Sequence, residues 1–233
     1  MSDSLPSRLR ELHEAYEHSG GSYLMQGPRL TEKWLKIAGS SSSVGDHISR
    51  QSILTEWRTA SDEVTTTRAL SLTMFWGYGS MRFGRRNTKL ALDSIRGGKW
   101  RQLLDIRAVA TSDATQAFAD LSSLRIKGLG MAFQSKILYG MTGSIPILDR
   151  HTRRWLNHYG LQEVSAQKAN LVVFDCYYKL CTSWAKAPIG SEGKTIGDPC
   201  LIEYLMFWDA KRGRKHTAKE SPTWLLRVAP WRK

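Results

Sequence analysis

Apolar residues recur at steps of three or four along most of the chain, which is the spacing that places them on one face of an α-helix. Leu9, Leu12 and Tyr16 show it near the N-terminus, and Leu201, Leu205 and Trp208 show it near the C-terminus. The alternation of apolar and polar residues that is typical of β-strands is almost absent. The pattern predicts an all-α protein.

Two further helices are indicated by how their apolar residues are distributed. The segment "TRALSLTMFWGYG" is apolar on nearly all sides up to Gly77, which is typical of a buried helix. A long amphipathic pattern that includes Ala166, Asn170 and Trp184 predicts a core helix, and Asp198 and Pro199 open a last one that ends before Gly213.

The chain of 233 residues is long enough for one good core or two small lobes. We expect two helical lobes. Residues 1–65 and 150–210 would form one, residues 66–149 the other, and residues 211–233 a basic C-terminal tail that touches phosphates or remains mobile. The buried helix would lie between the lobes.

One short segment, residues 126–155, combines two glycines with a lone aspartate. Gly128 and Gly130 precede a helix predicted over residues 131–139 and stopped by Gly140, so the free N–H groups at the start of that helix suit a phosphate. Asp149 lies further on in an apolar and basic stretch. An aspartate there is typical of a helix cap, and a catalytic carboxylate is the second interpretation.

The composition indicates which classes of partner and cofactor the protein binds. Lysine plus arginine number 34 against 21 aspartates and glutamates, a net charge of +13 with a pI near 9.9. Such a surplus favours a nucleic-acid partner over a merely solvated basic surface. The cysteines Cys176, Cys181 and Cys200 lack the spacing of a zinc site or a disulfide framework, so no metal is expected. Without an apolar run that suggests a signal peptide or a membrane span, we expect a cytosolic protein, associated with the nucleoid of a prokaryote.

The segment that starts at Ile126 resembles the helix-hairpin-helix DNA glycosylase superfamily, whose members carry a hairpin of the form LPGVG, a helix and then VDTHVxRxxxRLG. The resemblance covers about 35 residues. The matched positions are Gly128, Leu129 and Gly130 in the hairpin, Asp149 at the catalytic aspartate, and His151, Arg154 and Gly160 after it. It implies an all-α fold with an active-site cleft between two lobes, and an enzyme that flips a base out of double-stranded DNA. Asp149 would stabilise the oxocarbenium-like transition state and help water to attack, which leaves an abasic site.

The sequence departs from that motif at one chemically important place. Ala132 stands where many members have the lysine whose amine attacks the sugar, so the resemblance implies a monofunctional glycosylase. Lys136 lies one turn further along and is interpreted as a solvated or phosphate-facing residue, with a substitute nucleophile as the alternative. The iron-sulfur loop and the N-terminal β-domain of other branches are absent from the sequence. No organic cofactor is implied, although family hairpins often bind a monovalent cation.

The candidate site residues fall into two groups beside the catalytic Asp149. Residues predicted to contact DNA are Lys127, Gly128, Leu129, Gly130, Lys136, Arg82, Arg85, Arg86, Arg150 and Arg154. Residues predicted to line the base pocket or to act as the wedge are Trp76, Tyr78, Met81, Phe207 and Trp208. A surface turn with incidental charge would also explain "GYGSMRFGRRN", and core packing would explain the two late aromatics.

The substrate stays open at this point. A damaged base in the host genome would indicate a repair enzyme, and a modified phage base such as glucosylated hydroxymethylcytosine would indicate antiviral defence. The alternative of another class is a noncatalytic DNA-binding module. Retention of Asp149 beside DNA phosphates argues against it, because like charges repel. We expect a monomer.

Overall fold

The computed structural model describes residues 5–19, 27–38, 44–79, 83–161, 171–189 and 193–216, with the backbone alone at residue 38 and from residue 212. Helices dominate the described residues, as the apolar spacing predicted. They are α1 (Ser7–His18), α2 (Glu32–Ala38), α3 (Arg50–Thr59), α4 (Glu63–Tyr78), α5 (Gly84–Ile95), α6 (Lys99–Ala110), α7 (Ala114–Ser123), α8 (Met131–Thr142), α9 (Arg150–His158), α10 (Leu171–Lys186) and α11 (Pro199–His216).

The all-α prediction is confirmed. The described strands are β1 (Pro188–Ile189) and β2 (Lys194–Thr195), a two-residue antiparallel pair between α10 and α11. One continuous hydrophobic cluster contains residues from both predicted lobes, including Leu9 and Trp155 from one and Leu103 and Ile137 from the other. The division into two lobes stays a prediction.

Helix α4 is the buried helix that the sequence predicted. Every residue from 69 to 75 is buried, and Asp62 caps its first turn by accepting from the backbone N–H of Thr65 at 2.8 Å. The helix continues one residue past the predicted end at Gly77, because Gly79, with φ of 57°, is the residue that leaves helical geometry. This end of α4 lies beside α8.

The prediction that Gly140 ends α8 is wrong. Gly140 lies inside the helix and lets it approach α3, since a Cβ there would lie 2.4 Å from Cδ1 of Trp57. The helix ends at Thr142, and Gly143 follows with φ of 75°. Gly140 therefore marks a close contact between helices, whereas Gly143 marks the true helix end. Only the packing against the neighbouring helix distinguishes these two roles of glycine.

The last helix also extends further than predicted. Helix α11 runs through Gly213 to His216, into the segment interpreted as a tail from residue 211. A single interior glycine weakens a helix by only about 1 kcal/mol, and α11 packs against α1, α9 and α10. Residues 217–233 lie outside the described residues, as do Ala166 and Asn170 of the predicted long core helix.

Crossing a bilayer takes a length and an apolar character that the helices of the described residues lack.

Candidate active site

Asp149 is the residue before α9, and each of its carboxylate oxygens has its own partners. Oδ1 accepts from the backbone N–H of His151 at 2.7 Å and of Thr152 at 3.2 Å, which caps the helix. The Thr152 hydroxyl in turn accepts from the backbone N–H of Asp149 at 2.9 Å, completing a capping box. Oδ2 is left for the pocket. The capping interpretation is thus confirmed, and it leaves half of the carboxylate available for chemistry.

Lys136 supplies the partner of that second oxygen. Its Nζ lies 3.4 Å from Oδ2 of Asp149, and only 7% of the residue is exposed. The ammonium also lies 5.7 Å from the ring centre of Trp76 and 5.9 Å from that of Phe133, within the range of cation–π attraction. The expectation that Lys136 is solvated is therefore wrong, because the side chain lies inside the protein beside the aspartate. Its contact with a DNA phosphate stays a prediction.

These two groups line a pocket of about 770 Å³. That volume is within the range of about 300–1,000 Å³ that is usual for small-molecule sites. Its walls come from the loops before α2 and α3, the start of α3, the end of α4, α8, the chain at the start of α9, and α11. The lining residues are Gly27, Pro28, His47, Ser49, Arg50, Gln51, Trp76, Gly77, Tyr78, Gly79, Lys136, Ile147, Asp149, His151, Glu203, Tyr204, Phe207 and Lys211.

A second ion pair lies in the same pocket. Nη2 of Arg50, at the start of α3, donates to Oε2 of Glu203 on α11 at 2.6 Å, and 1% of Glu203 is exposed. The guanidinium carbon lies 4.9 Å from the ring centre of Tyr139, 5.6 Å from that of Tyr204 and 5.8 Å from that of Trp76. Two positive and two negative side chains are therefore held in a largely aromatic enclosure.

The environments of the two carboxyl groups shift their pKa values in opposite directions. Burial disfavours the Asp149 carboxylate, but the Lys136 ammonium and the capping N–H groups of Thr152 and His151 outweigh it and lower its pKa. Burial dominates at Glu203 and raises its pKa to about 7, although Arg50 acts against the rise. Burial likewise raises the pKa of Tyr139 to about 12. Asp149 is thus held as an anion, whereas Glu203 has access to its neutral form.

The turn between α7 and α8 carries the predicted phosphate anchor. Gly128 has φ of 81°, and a Cβ there would lie 2.7 Å from the carbonyl oxygen of Asn87. Gly130 has open space where its Cβ would be, and Lys127 is exposed. Nδ2 of Asn87 donates to the Tyr78 hydroxyl at 2.8 Å, which ties α5 to the end of α4. The two glycines therefore differ: Gly128 lies in close contact with the backbone of α5, and Gly130 has open space beside it. The phosphate anchor itself stays a prediction.

The chain matches a family model over residues 22–207, and the model is described as "Putative 8-oxoguanine DNA glycosylase OGG-like protein". The chain belongs to this OGG-like family. The match supports DNA glycosylase as the general function and DNA as the partner. No curated protein and no solved structure matches the chain.

The predicted pocket residues of this OGG-like protein divide into those that line the pocket and those that do not. Trp76, Tyr78 and Phe207 line it together with Asp149. Trp208 instead belongs to the hydrophobic core, the simpler account of the two late aromatics. Tyr78, one of the two residues predicted as the duplex wedge, is buried, with its ring centre 4.2 Å from that of Phe133. Met81 lies outside the described residues.

The predicted DNA contacts lie mainly on the outside of the OGG-like protein. Lys127, Gly130, Arg85 and Arg86 are exposed, and so are Arg150 and Arg154 on α9. Gly128 and Leu129 are half-buried, and Arg82 lies outside the described residues. These contacts stay predictions, while the exposure they require is present at six of the positions.

Sequence reasoning missed Glu203 and Arg50 and misplaced Lys136. Glu203 is a single carboxylate in the apolar run "CLIEYLMFW", and Lys136 is a single cation on a helix whose neighbours Phe133, Ile137 and Leu138 are apolar. A lone charge inside an apolar run is the signal that would have found both, since such a charge is buried only when paired. Arg50 follows a polar stretch and has no comparable signal.

Proposed function

We propose that this OGG-like protein excises 8-oxoguanine or a closely related oxidised purine from duplex DNA, with Lys136 as the attacking amine and Asp149 as its partner. The observation that carries the proposal is the 3.4 Å approach of Lys136 Nζ to Asp149 Oδ2 inside the pocket. The family description supports the substrate class. A base inside a duplex is out of reach of such a pocket, so the nucleotide has to flip out of the stack.

The proposed reaction begins when the bond between C1′ and the base nitrogen breaks and its electron pair leaves with the base, which takes up a proton. The sugar gains oxocarbenium character, and the Asp149 carboxylate stabilises that positive charge. Lys136 first gives one ammonium proton to Oδ2 of Asp149, and the free amine nitrogen then forms a bond to C1′. A second proton moves from that nitrogen to the ring oxygen O4′ as the C1′–O4′ bond breaks, which opens the sugar ring and leaves a protonated imine between Nζ and C1′. No organic cofactor takes part.

Lys136 replaces the absent lysine at position 132 because both lie on α8 and are one helical turn apart. Residues four apart share a helix face, so the side chain of residue 136 reaches the same side of the helix as that of residue 132. The aromatic walls formed by Trp76 and Phe133 hold the ammonium next to Asp149. These contacts support a lyase-type glycosylase rather than the monofunctional type that Ala132 suggested.

The test incubates the protein with duplexes that contain 8-oxoguanine opposite cytosine, other lesions, or glucosylated hydroxymethylcytosine as found in phage DNA. Sodium borohydride is added to reduce any imine, and Lys136→Gln and Lys89→Gln are run alongside. Lys89 is an exposed lysine on α5, so its variant loses the same charge outside the pocket.

We expect base release and a trapped protein–DNA adduct with the wild type and with Lys89→Gln, and no adduct with Lys136→Gln. Base release without any adduct would show that water is the nucleophile and restore the monofunctional interpretation. If base is released only from the phage-type duplex, the substrate is the modified cytosine and not an oxidised purine. Binding without release from any duplex would leave a noncatalytic module.

A further inference from the structure

The pocket contains a second carboxyl group besides that of Asp149. Glu203 comes from α11 and lines the same pocket as Lys136 and Asp149. Its Oε2 accepts from Arg50, and Oε1 has no hydrogen-bond partner among the described residues. Because Arg50 occupies Oε2, the second oxygen of Glu203 is left for a molecule that enters the pocket.

Groups from several elements around Glu203 affect its ionisation or lie close enough to interact with it. Positive charges come from Arg50 on α3 and Lys136 on α8, and a negative charge from Asp149 before α9. The neutral groups close enough to interact with it are Tyr139 on α8, Tyr177 and Cys181 on α10, and Cys200 on α11. His151 and Lys211 also line the pocket.

We propose that Glu203 is the proton donor to the departing base. This inference rests on the proposed glycosylase function. The O–H bond of the Glu203 carboxyl breaks as the electron pair of the C1′–base bond moves onto the base, and the proton bonds to a ring nitrogen or carbonyl oxygen of that base. Glu203 is left as a carboxylate that Arg50 holds until water from the open pocket returns a proton.

Geometry separates the two carboxyl groups into different tasks. Asp149 meets two backbone N–H groups and an ammonium, which all favour its anion. Glu203 has one charged donor and an aromatic enclosure that disfavours its anion, so its pKa of about 7 lets it hold a proton at neutral pH. Two carboxyl groups with opposite shifts in one pocket is the arrangement that acid catalysis beside an electrostatic stabiliser requires.

The experiment measures single-turnover base release between pH 5.5 and 9 for the wild type, Glu203→Gln, Glu203→Asp and Glu56→Gln. Glu56 accepts from Arg68 at 2.6 Å outside the pocket, so its variant breaks a matched Arg–Glu pair. Binding of each protein to a duplex with a tetrahydrofuran abasic-site analogue reports whether the fold and the DNA-binding surface are intact. This binding does not depend on the chemistry of Lys136.

We expect the wild-type rate to fall as pH rises through about 7, and Glu56→Gln to behave in the same way. Glu203→Gln should lose about 10²- to 10⁴-fold in rate and the dependence on pH, while it still binds the analogue. A Glu203→Gln rate equal to that of the wild type, or a slower rate with the wild-type pH profile, overturns the donor role and leaves the proposed glycosylase function standing.

Two other outcomes also decide the matter. If the wild type releases no base from any duplex, the proposed function falls and the donor role falls with it. If Glu203→Gln does not bind the analogue, Glu203→Asp decides, because it keeps a carboxyl group on a shorter side chain. Slow release that still declines with rising pH supports the donor role, and slow release without a pH dependence overturns it.

Discussion

Lys136 faces Asp149 across 3.4 Å through Oδ2, while Oδ1 of the same carboxylate caps α9. One aspartate thereby fixes the start of a helix and the position of an amine from another helix. The cap holds the carboxylate in place before any substrate enters. Preorganised charge of this kind is the largest single contribution to the rate enhancement in many enzymes.

Asp149→Asn should separate capping from chemistry, because asparagine caps helices as well as aspartate does. We expect duplex binding to change by less than about threefold and base release to fall by about 10²-fold or more, as found when one electrostatic group is removed from a reacting centre. Single-turnover base release and binding by fluorescence anisotropy are the measurements. Asp62→Asn is the matched control, since Asp62 caps α4 with the same kind of capping box. Equal activity of both variants would contradict the catalytic assignment.

The lowered pKa of Asp149 also predicts how stability depends on pH. A carboxyl group whose pKa is lower in the folded than in the unfolded state stabilises the fold at pH values above its unfolded pKa, and this contribution is lost as pH falls through the folded pKa. The gap in unfolding free energy between wild type and Asp149→Asn should therefore be constant from pH 6 to 8 and narrow below about pH 4, the ordinary value for aspartate. Urea unfolding at several pH values tests this. A gap that widens in acid would contradict it.

Gly77→Ala should misplace the amine without disturbing the DNA-binding surface. The added Cβ would lie 2.5 Å from Cε1 of Phe133 and 3.1 Å from Cδ of Lys136, so both side chains have to move. A displacement of about 1 Å near a reacting group lowers rates by about 10²-fold, and we expect a loss of that order in base release and adduct formation. Duplex affinity, measured by anisotropy, should stay within about threefold of the wild type. An unchanged rate would show that Phe133 alone gives way.

The two hairpin glycines should respond differently to alanine. Gly128→Ala forces a side chain into a left-handed backbone and against the carbonyl of Asn87 at 2.7 Å, so we expect a loss of about 1–3 kcal/mol or more in unfolding free energy. Gly130→Ala meets open space, so its stability should change by about 1 kcal/mol or less, the value for a poor helix cap. Its affinity for duplex DNA should nevertheless fall, because the methyl group keeps a phosphate from the backbone N–H groups.

Urea unfolding and anisotropy on the same undamaged duplex distinguish the two hairpin variants. If Gly130→Ala binds the duplex as tightly as the wild type does, the phosphate anchor lies elsewhere on the protein.

Phe83 is a candidate for the residue that fills the gap left by a flipped base. It is 55% exposed, and its ring meets that of Tyr78 edge-on with the ring centres 5.4 Å apart, near the pocket rim at Gly79. Phe83→Ala should lower base release from duplex DNA by about tenfold or more, because inserted apolar side chains compensate for lost stacking. Release from single-stranded DNA should be unaffected. Val64, another exposed apolar residue, supplies the control Val64→Ala at the far end of α4. An equal loss of base release from duplex and from single-stranded DNA would contradict the wedge role.

The sequence by itself determined the helical class, the buried character of α4 and the place of Asp149 at the start of a helix. These features depend on residues within one or two helical turns, where spacing and capping chemistry decide the local structure. The same locality explains the errors at Gly140 and Gly213. A glycine in a sequence allows either a helix end or a close contact, and the choice depends on what the neighbouring helix presents.

Only the tertiary structure decided what the pocket contains. Glu203 and Arg50 are 153 residues apart in the chain, and Lys136 and Asp149 lie on either side of a helix end. Periodicity shows which residues share a helix face, but it does not show which other helix that face meets. A lone charge in an apolar run indicates a buried side chain, but it does not show which residue that charge pairs with. Packing of α3, α4, α8 and α11 around one cavity turned four scattered charges into two ion pairs, and their burial shifted the carboxyl groups in opposite directions.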